Sequence, residues 1–296
     1  MVFTQIYYSY AGAASGRTVE TGRGDEDASR PKTRQRRPGR RHRRTGKDGR
    51  SLLSSEIQTD IVTEGRRVLG AARETGLTLR LLGGVAVKVR SRDLPPALTR
   101  EYKDLDFATS KKSAGDLQKL LRDIGYEPHL GFNAMNGRER LLFYDDPNQR
   151  QVDVFVSSFR MCHQIPLEKR LAVDEDTVPL AELLLTKLQI IELNEKDVRD
   201  TIALLVEHEV TDDDQGVNAS RVASLCAEDW GLWRTISHNL EQLEQHVGDY
   251  DVDAEIVSNR VALILERLEV APKSRSWRLR AKIGERKRWY ELPEEV

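Results

Sequence analysis

The sequence predicts an α+β chain: a small mixed-sheet domain, then a C-terminal helical domain, behind a disordered basic N-terminal tail. Three observations predict this. Residues 17–50 are Gly, Arg, Thr and Pro with almost no large apolar side chain, a composition that cannot offset its own ordering entropy. From about 54 to 165, short apolar runs of strand length alternate with helical periods and Gly/Pro punctuation. Beyond Pro166 the periods are helical alone. The expected boundaries are 1–53, 54–165 and 166–296.

Composition narrows the class. At 39% hydrophobic residues, the 296-residue chain can build real cores, and no apolar run approaches the roughly 20 residues of a membrane helix. Met1 to Gly16 lacks a basic n-region and is interrupted by Tyr7, Tyr8, Ser9 and Tyr10, so it reads as leader rather than signal peptide. Cys162 and Cys226 form neither a metal-ligand pair nor a disulfide framework, which fits a reducing, cytoplasmic setting without a membrane partner. Residues 1–50 hold 13 Lys/Arg against 5 Asp/Glu, and the remainder holds 34 against 43. An acidic body does not gather nucleic acid nonspecifically, so any polyanion contact must be local. The basic tail is an RNA-binding arm or simply a solvating segment.

The elements follow in order. Ser54 is a plausible N-cap for a helix carrying Ile57, Ile61, Val68, Leu69 and Ala72 and ending at Gly76. Leu77–Leu82 reads as a buried strand broken by Gly83-Gly84, with a brief helix through Val85, Ala86 and Val89 after it. A loop with Pro95-Pro96 leads to a strand around Asp104–Ala108. Ser113 caps a helix with Leu117, Leu120, Leu121 and Ile124, closed by Gly125. Strands around Arg140–Tyr144 and Gln151–Val156 flank the turn Asp145-Asp146-Pro147-Asn148. Helices are then predicted over Leu180–Leu193, Lys196–His208, 219–246 and Ala254–Leu268.

The chemistry lies in carboxylates. Side chains two apart on a strand point the same way, so Asp104 and Asp106 share a face while Leu105 and Phe107 enter the core. Two carboxylates that close repel unless cations neutralise them, and hard oxygen ligands suit Mg²⁺ (or Mn²⁺). On Val152–Val156 the valines line one face and Asp153 projects from the other, so pairing of the two strands would complete a three-carboxylate cradle for two metals. Gly83-Gly84, at a strand end leading into a helix, lets backbone amides approach phosphate oxygens.

Leu82-Gly83-Gly84, then Asp104-Leu105-Asp106-Phe107, then Val152-Asp153-Val154 resembles the DNA polymerase β-type nucleotidyltransferase superfamily. The spacer between Gly84 and Asp104 is 19 residues. In the second half, Lys187 has Leu183, Leu184, Ile190 and Ile191 as helical neighbours, so its ammonium must snorkel or meet an anion. On either reading, Lys187→Met is expected to spare the fold. Asp197 and Asp200 share a helical face in Lys196-Asp197-Val198-Arg199-Asp200. That pattern is similar to the AbiEii-type branch, the nucleotidyltransferase toxins that include MenT-like enzymes, over roughly residues 55–210. The resemblance implies that Asp104, Asp106 and Asp153 bind metal and catalyse. It implies that Gly83, Gly84 and Lys187 contact nucleotide phosphates and that Asp197 and Asp200 help build the centre. It implies an NTP donor, an acceptor that is RNA (such as a tRNA end) or a small hydroxylated molecule of antibiotic type, and a cognate antitoxin. The reading from a different class is a nucleotidyltransferase fold that only binds.

Two further features are weaker. Lys273–Tyr290 interleaves eight basic residues with Trp277, Trp289 and Tyr290, which could hold an RNA end or could be a terminal helix whose tryptophans pack down. The histidines His129, His163, His208, His238 and His246 lie at no ligand spacing.

Overall fold

A computed structural model describes residues 56–292. The basic tail expected over 1–53 and the cap expected at Ser54 lie outside the described residues. The first helix, α1 (Ile61–Glu74), is capped by Asp60, whose carboxylate accepts from the Thr63 N–H at 2.8 Å. It starts later than the periodicity predicts, because Ile57 precedes the cap.

Strand β1 (Leu79–Leu82) runs into α2 (Gly83–Arg90), and a loop with a short 3₁₀ turn at Pro96–Leu98 leads to β2 (Leu105–Thr109). Asp104 therefore stands just before its strand rather than in it. After β2 come α3 (Ala114–Asp123), β3 (Glu127–Pro128), α4 (Leu130–Asn136), β4 (Arg140–Asp145) and β5 (Arg150–Val156). Gly125 closes α3 with φ +106°, as its position predicts. Ser113 precedes α3, but its hydroxyl accepts the Thr78 N–H at 3.0 Å instead of capping the helix. The periodicity does not predict α4, a seven-residue helix with no buried residue and hence no apolar stripe to betray it. His129 caps it, its Nδ1 accepting from the Phe132 N–H at 3.1 Å.

The five strands form one mixed sheet in the order β1-β2-β5-β4-β3. Only β2 and β5 pair in parallel; the other neighbours are antiparallel. The strands predicted to carry the carboxylates are thus adjacent, at the sheet's centre.

A hairpin, β6 (Ser158–Arg160) with β7 (Gln164–Pro166), links to the second half. There the helices are α5 (Leu180–Leu188), α6 (Glu195–Glu207), α7 (Ala219–Glu228), α8 (Trp230–His246), α9 (Ala254–Val270) and α10 (Arg275–Ile283). The single helix predicted over 219–246 is two. Asp229 ends α7 and caps α8, accepting from the Gly231 and Leu232 N–H groups. The region is not purely helical either, since β8 (Val210–Thr211) and β9 (Val217–Asn218) form a small parallel pair.

One cluster of buried side chains runs from Val68 of α1 through the sheet to Leu268 of α9. Both cysteines are buried and free. Among the described residues no helix is long and apolar enough to cross a membrane.

Candidate functional site

The site is built by strand register. Asp106 pairs with Leu82 on one side and with Asp153 on the other, so Leu82, Asp106 and Asp153 sit in a row across three strands, with Gly83 following at the end of β1. Gly83 opens α2 with φ +64°, a left-handed conformation that L side chains rarely adopt. A Cβ there would lie 2.0 Å from Oδ2 of Asp106. The missing side chain is what lets the helix N-terminus, with its unpaired N–H groups, rest beside the carboxylate.

Electrostatics mark Asp106 out. Burial first, then the charge of Asp153, pushes its pKa up to about 7, with Lys187 opposing and Asp104 adding to the rise. Asp104 is raised too, by desolvation and by Asp153, although the Gln151 backbone N–H donates to it. Asp153 is held on both oxygens: Arg140 Nε donates to Oδ1 at 2.7 Å and Gln151 Nε2 to Oδ2 at 2.8 Å.

Lys187 resolves in favour of meeting an anion. At the end of α5, its Nζ lies 3.0 Å from Asp197 and 2.8 Å from Asp200, which are one turn apart on α6. Burial disfavours the ammonium, but the two carboxylates outweigh it and leave the pKa above the usual lysine range. Asn194 caps α6 and donates to Asp197 at 2.7 Å. Arg100 grips Asp200 with a fork, Nε at 2.9 Å and Nη2 at 2.7 Å, and its guanidinium lies 4.2 Å from the Tyr102 ring centroid. A Cβ on Gly84 would come 2.1 Å from Arg100 Nη2. The chain Gly84–Arg100–Asp200–Lys187–Asp197 therefore joins the glycine turn to the α5–α6 pair.

All eight residues singled out by sequence fall in this one region. Four that periodicity and spacing do not single out belong to it: Arg100, Tyr102, Arg140 and Gln151. Gln151 shares a strand face with Asp153 and could have been found two residues upstream. Arg100 and Tyr102 lie in a loop without periodicity and offered no such signal.

The residues fit a divalent cation in part. Asp104 and Asp106 are crowded acids in which a cation could take the place of the proton that Asp106 retains near neutrality. The predicted three-carboxylate cradle is not closed, however. Among the described residues no group of three His, Cys, Asp or Glu side chains is arranged to hold a metal, and Asp153 would first have to leave Arg140 and Gln151.

The tryptophans of the 273–290 segment and His163 pack into the fold. Trp277 packs edge-on against Trp233 and Trp289 against Trp230, at 5.2 and 6.0 Å between centroids. The tryptophans of the basic segment thus pack down. His163 is buried with its Nε2 2.9 Å from the Thr235 hydroxyl. No protein-family model matches the chain, and no curated protein matches it.

Proposed function

We propose that the protein transfers a nucleoside monophosphate from an NTP to an acceptor hydroxyl, releasing pyrophosphate. The observation that carries this reading is Gly83 pressed against Asp106, with Asp106 in register with Asp153. An anion seat at a helix N-terminus directly beside paired carboxylates is what phosphate-bound metal chemistry requires.

Asp104 and Asp106 would hold Mg²⁺, with Asp153 joining them once freed from Arg140. The bound metal supplies charge neutralisation for the phosphates and activation of the attacking hydroxyl. The Gly83 and Gly84 amides seat phosphate oxygens. Lys187, kept cationic by Asp197 and Asp200, offsets the charge that develops on the leaving pyrophosphate. Arg100 fixes Asp200 and so the position of that ammonium. Asp153 accepts the proton of the attacking hydroxyl, whose oxygen bonds to the α-phosphorus as the bond to pyrophosphate breaks.

Incubation with each α-labelled NTP, Mg²⁺ and total RNA, with a parallel arm of small hydroxylated acceptors, tests the reading. Label is expected to move from one NTP onto an acceptor. No transfer from any nucleotide in either arm would overturn it.

A further inference from the structure

The sheet face that bears Asp106 and Asp153 continues past them. Phe155, two residues beyond Asp153, has Arg140 as its register partner on β4. The Arg140 guanidinium lies 5.2 Å from the Phe155 ring centroid and 5.7 Å from that of Phe132 on α4. With Arg160 and Met161 these side chains line a cleft of about 250 Å³. The cleft is linked to the carboxylate row through Arg140, which lines it and holds Asp153.

The 291–292 segment closes this cleft. Glu291 and Leu292 line it, and the Glu291 N–H donates to the Cys162 carbonyl at 2.9 Å. Arg160 takes the Glu291 carboxylate in a fork, Nε at 2.7 Å and Nη2 at 2.8 Å. Such a fork accepts a phosphate as readily as a carboxylate. The two side chains are 48% and 55% exposed, so water screens the pair and a competing anion can reach it. The anchor of the segment is separate: Trp289 packs on Trp230 and donates to the Thr235 hydroxyl at 3.1 Å.

We propose that this cleft seats a nucleoside phosphate unit of the acceptor, its base against Phe132 and Arg140 above the buried Phe155 ring and its phosphate on Arg160, and that Glu291 occupies the phosphate seat until displaced. Only the ligand's role as acceptor rests on the nucleotidyl-transfer reading; the cleft's chemistry stands without it. A base that draws the Arg140 guanidinium toward itself also loosens the hold on Asp153, which couples acceptor binding to the carboxylate row.

The test needs neither NTP nor metal. Fluorescence anisotropy of a fluorescein-labelled single-stranded RNA hexamer is measured with the full chain, Glu291→Ala, Arg160→Ala and the double variant. Glu291→Ala is expected to bind about tenfold more tightly than wild type, one decade being the effect of a single contested charge-assisted contact. The double variant is expected to lose that gain. Thermal unfolding of each variant checks that the chain remains folded. Competition by AMP would identify a free nucleotide as the ligand, and a gain that AMP does not compete away would identify a strand end. Unchanged or weaker binding by folded Glu291→Ala overturns the proposal. If binding rises while no NTP is ever transferred, the cleft stands and the proposed reaction falls. If NTP is transferred while Glu291→Ala shows no gain, the reaction stands and the cleft falls.

Discussion

Asp106 carries the largest consequence of any single side chain. Its pKa is raised from the ordinary 3.8 to about 7, chiefly by burial and then by Asp153. The folded state therefore holds this proton more tightly than the unfolded chain does. Its contribution to stability is fully present below about pH 4 and is lost as pH rises through about 7. Asp106→Asn removes that slope and should leave the protein more stable above pH 7, by ~1–2 kcal/mol, while abolishing transfer. Chemical denaturation at pH 5 and pH 8 checks it, and an unaltered slope in the variant would show that Asp106 is not the crowded acid. Mg²⁺ should raise the melting temperature of wild type at pH 8 and leave Asp106→Asn unmoved.

Lys187 sets an expectation from the sequence against one from the structure. Sequence periodicity predicts that Lys187→Met spares the fold, because four aliphatic neighbours surround it. Those neighbours are local, whereas the partners that decide the matter come from the next helix. Asp197 and Asp200 have side chains only 8% and 2% exposed, so removing the ammonium strands buried charge. The substitution should cost about 3 kcal/mol, although Arg100 still holds Asp200 and Asn194 still holds Asp197. Equilibrium denaturation decides between the two, and a neutral Lys187→Met would mean that the pair contributes nothing. The carboxylates and glycines of the site were legible because each sits at a fixed spacing on a strand, at a strand end or, for Asp197 and Asp200, on one helix face. Arg100 and Arg140 were not, since an arginine's reach hides its partner from any periodicity.

The turn from β1 into α2 separates two glycines that look alike in sequence. At Gly83 a Cβ meets a carboxylate oxygen on a central strand and sits at φ +64°. At Gly84 it meets the end of the Arg100 side chain and the Tyr102 ring. Gly83→Ala should therefore destabilise by about 1–3 kcal/mol through backbone strain, with the clash in addition. Gly84→Ala should cost the fold less, because its backbone carries no left-handed strain and Lys187 still holds Asp200 when the Arg100 end swings aside, although the Tyr102 ring must also shift; it should weaken NTP binding as Arg100 leaves Asp200. Thermal melts and nucleotide titrations of both variants test the contrast; equal losses in stability would remove it. Element identity was readable here because Gly-Gly follows an apolar run. The short β8–β9 pair was not, since two residues per strand leave no alternation to read.

The sequence texture changes near residue 166, and composition alone suggests two separable domains. The packing argues for one cooperative body over residues 56–292. Strand β1 is an edge of the sheet, and its outer side is occupied by the segment beyond the boundary: Leu81 N–H donates to Asp176 O at 2.8 Å and Val178 N–H to Leu81 O at 3.0 Å. Helix α2 packs against both α5 and α6. Leu183, Leu184, Leu185 and Leu188 of α5 are fully buried within the same core as the sheet. Cutting the chain at 166 would expose this surface, leave the edge of β1 unpaired, and separate Asp106 from Lys187. Calorimetry of the full chain should accordingly show one transition with equal calorimetric and van't Hoff enthalpies, and a fragment of residues 56–166 should show no cooperative transition. Two resolved transitions, or a fragment that melts cooperatively near the temperature of the whole, would establish that the halves fold separately. In that event the site would be an interface between domains, free to open by their movement. A single transition instead makes the glycine turn, the carboxylate row and the α5–α6 pair parts of one cooperative unit.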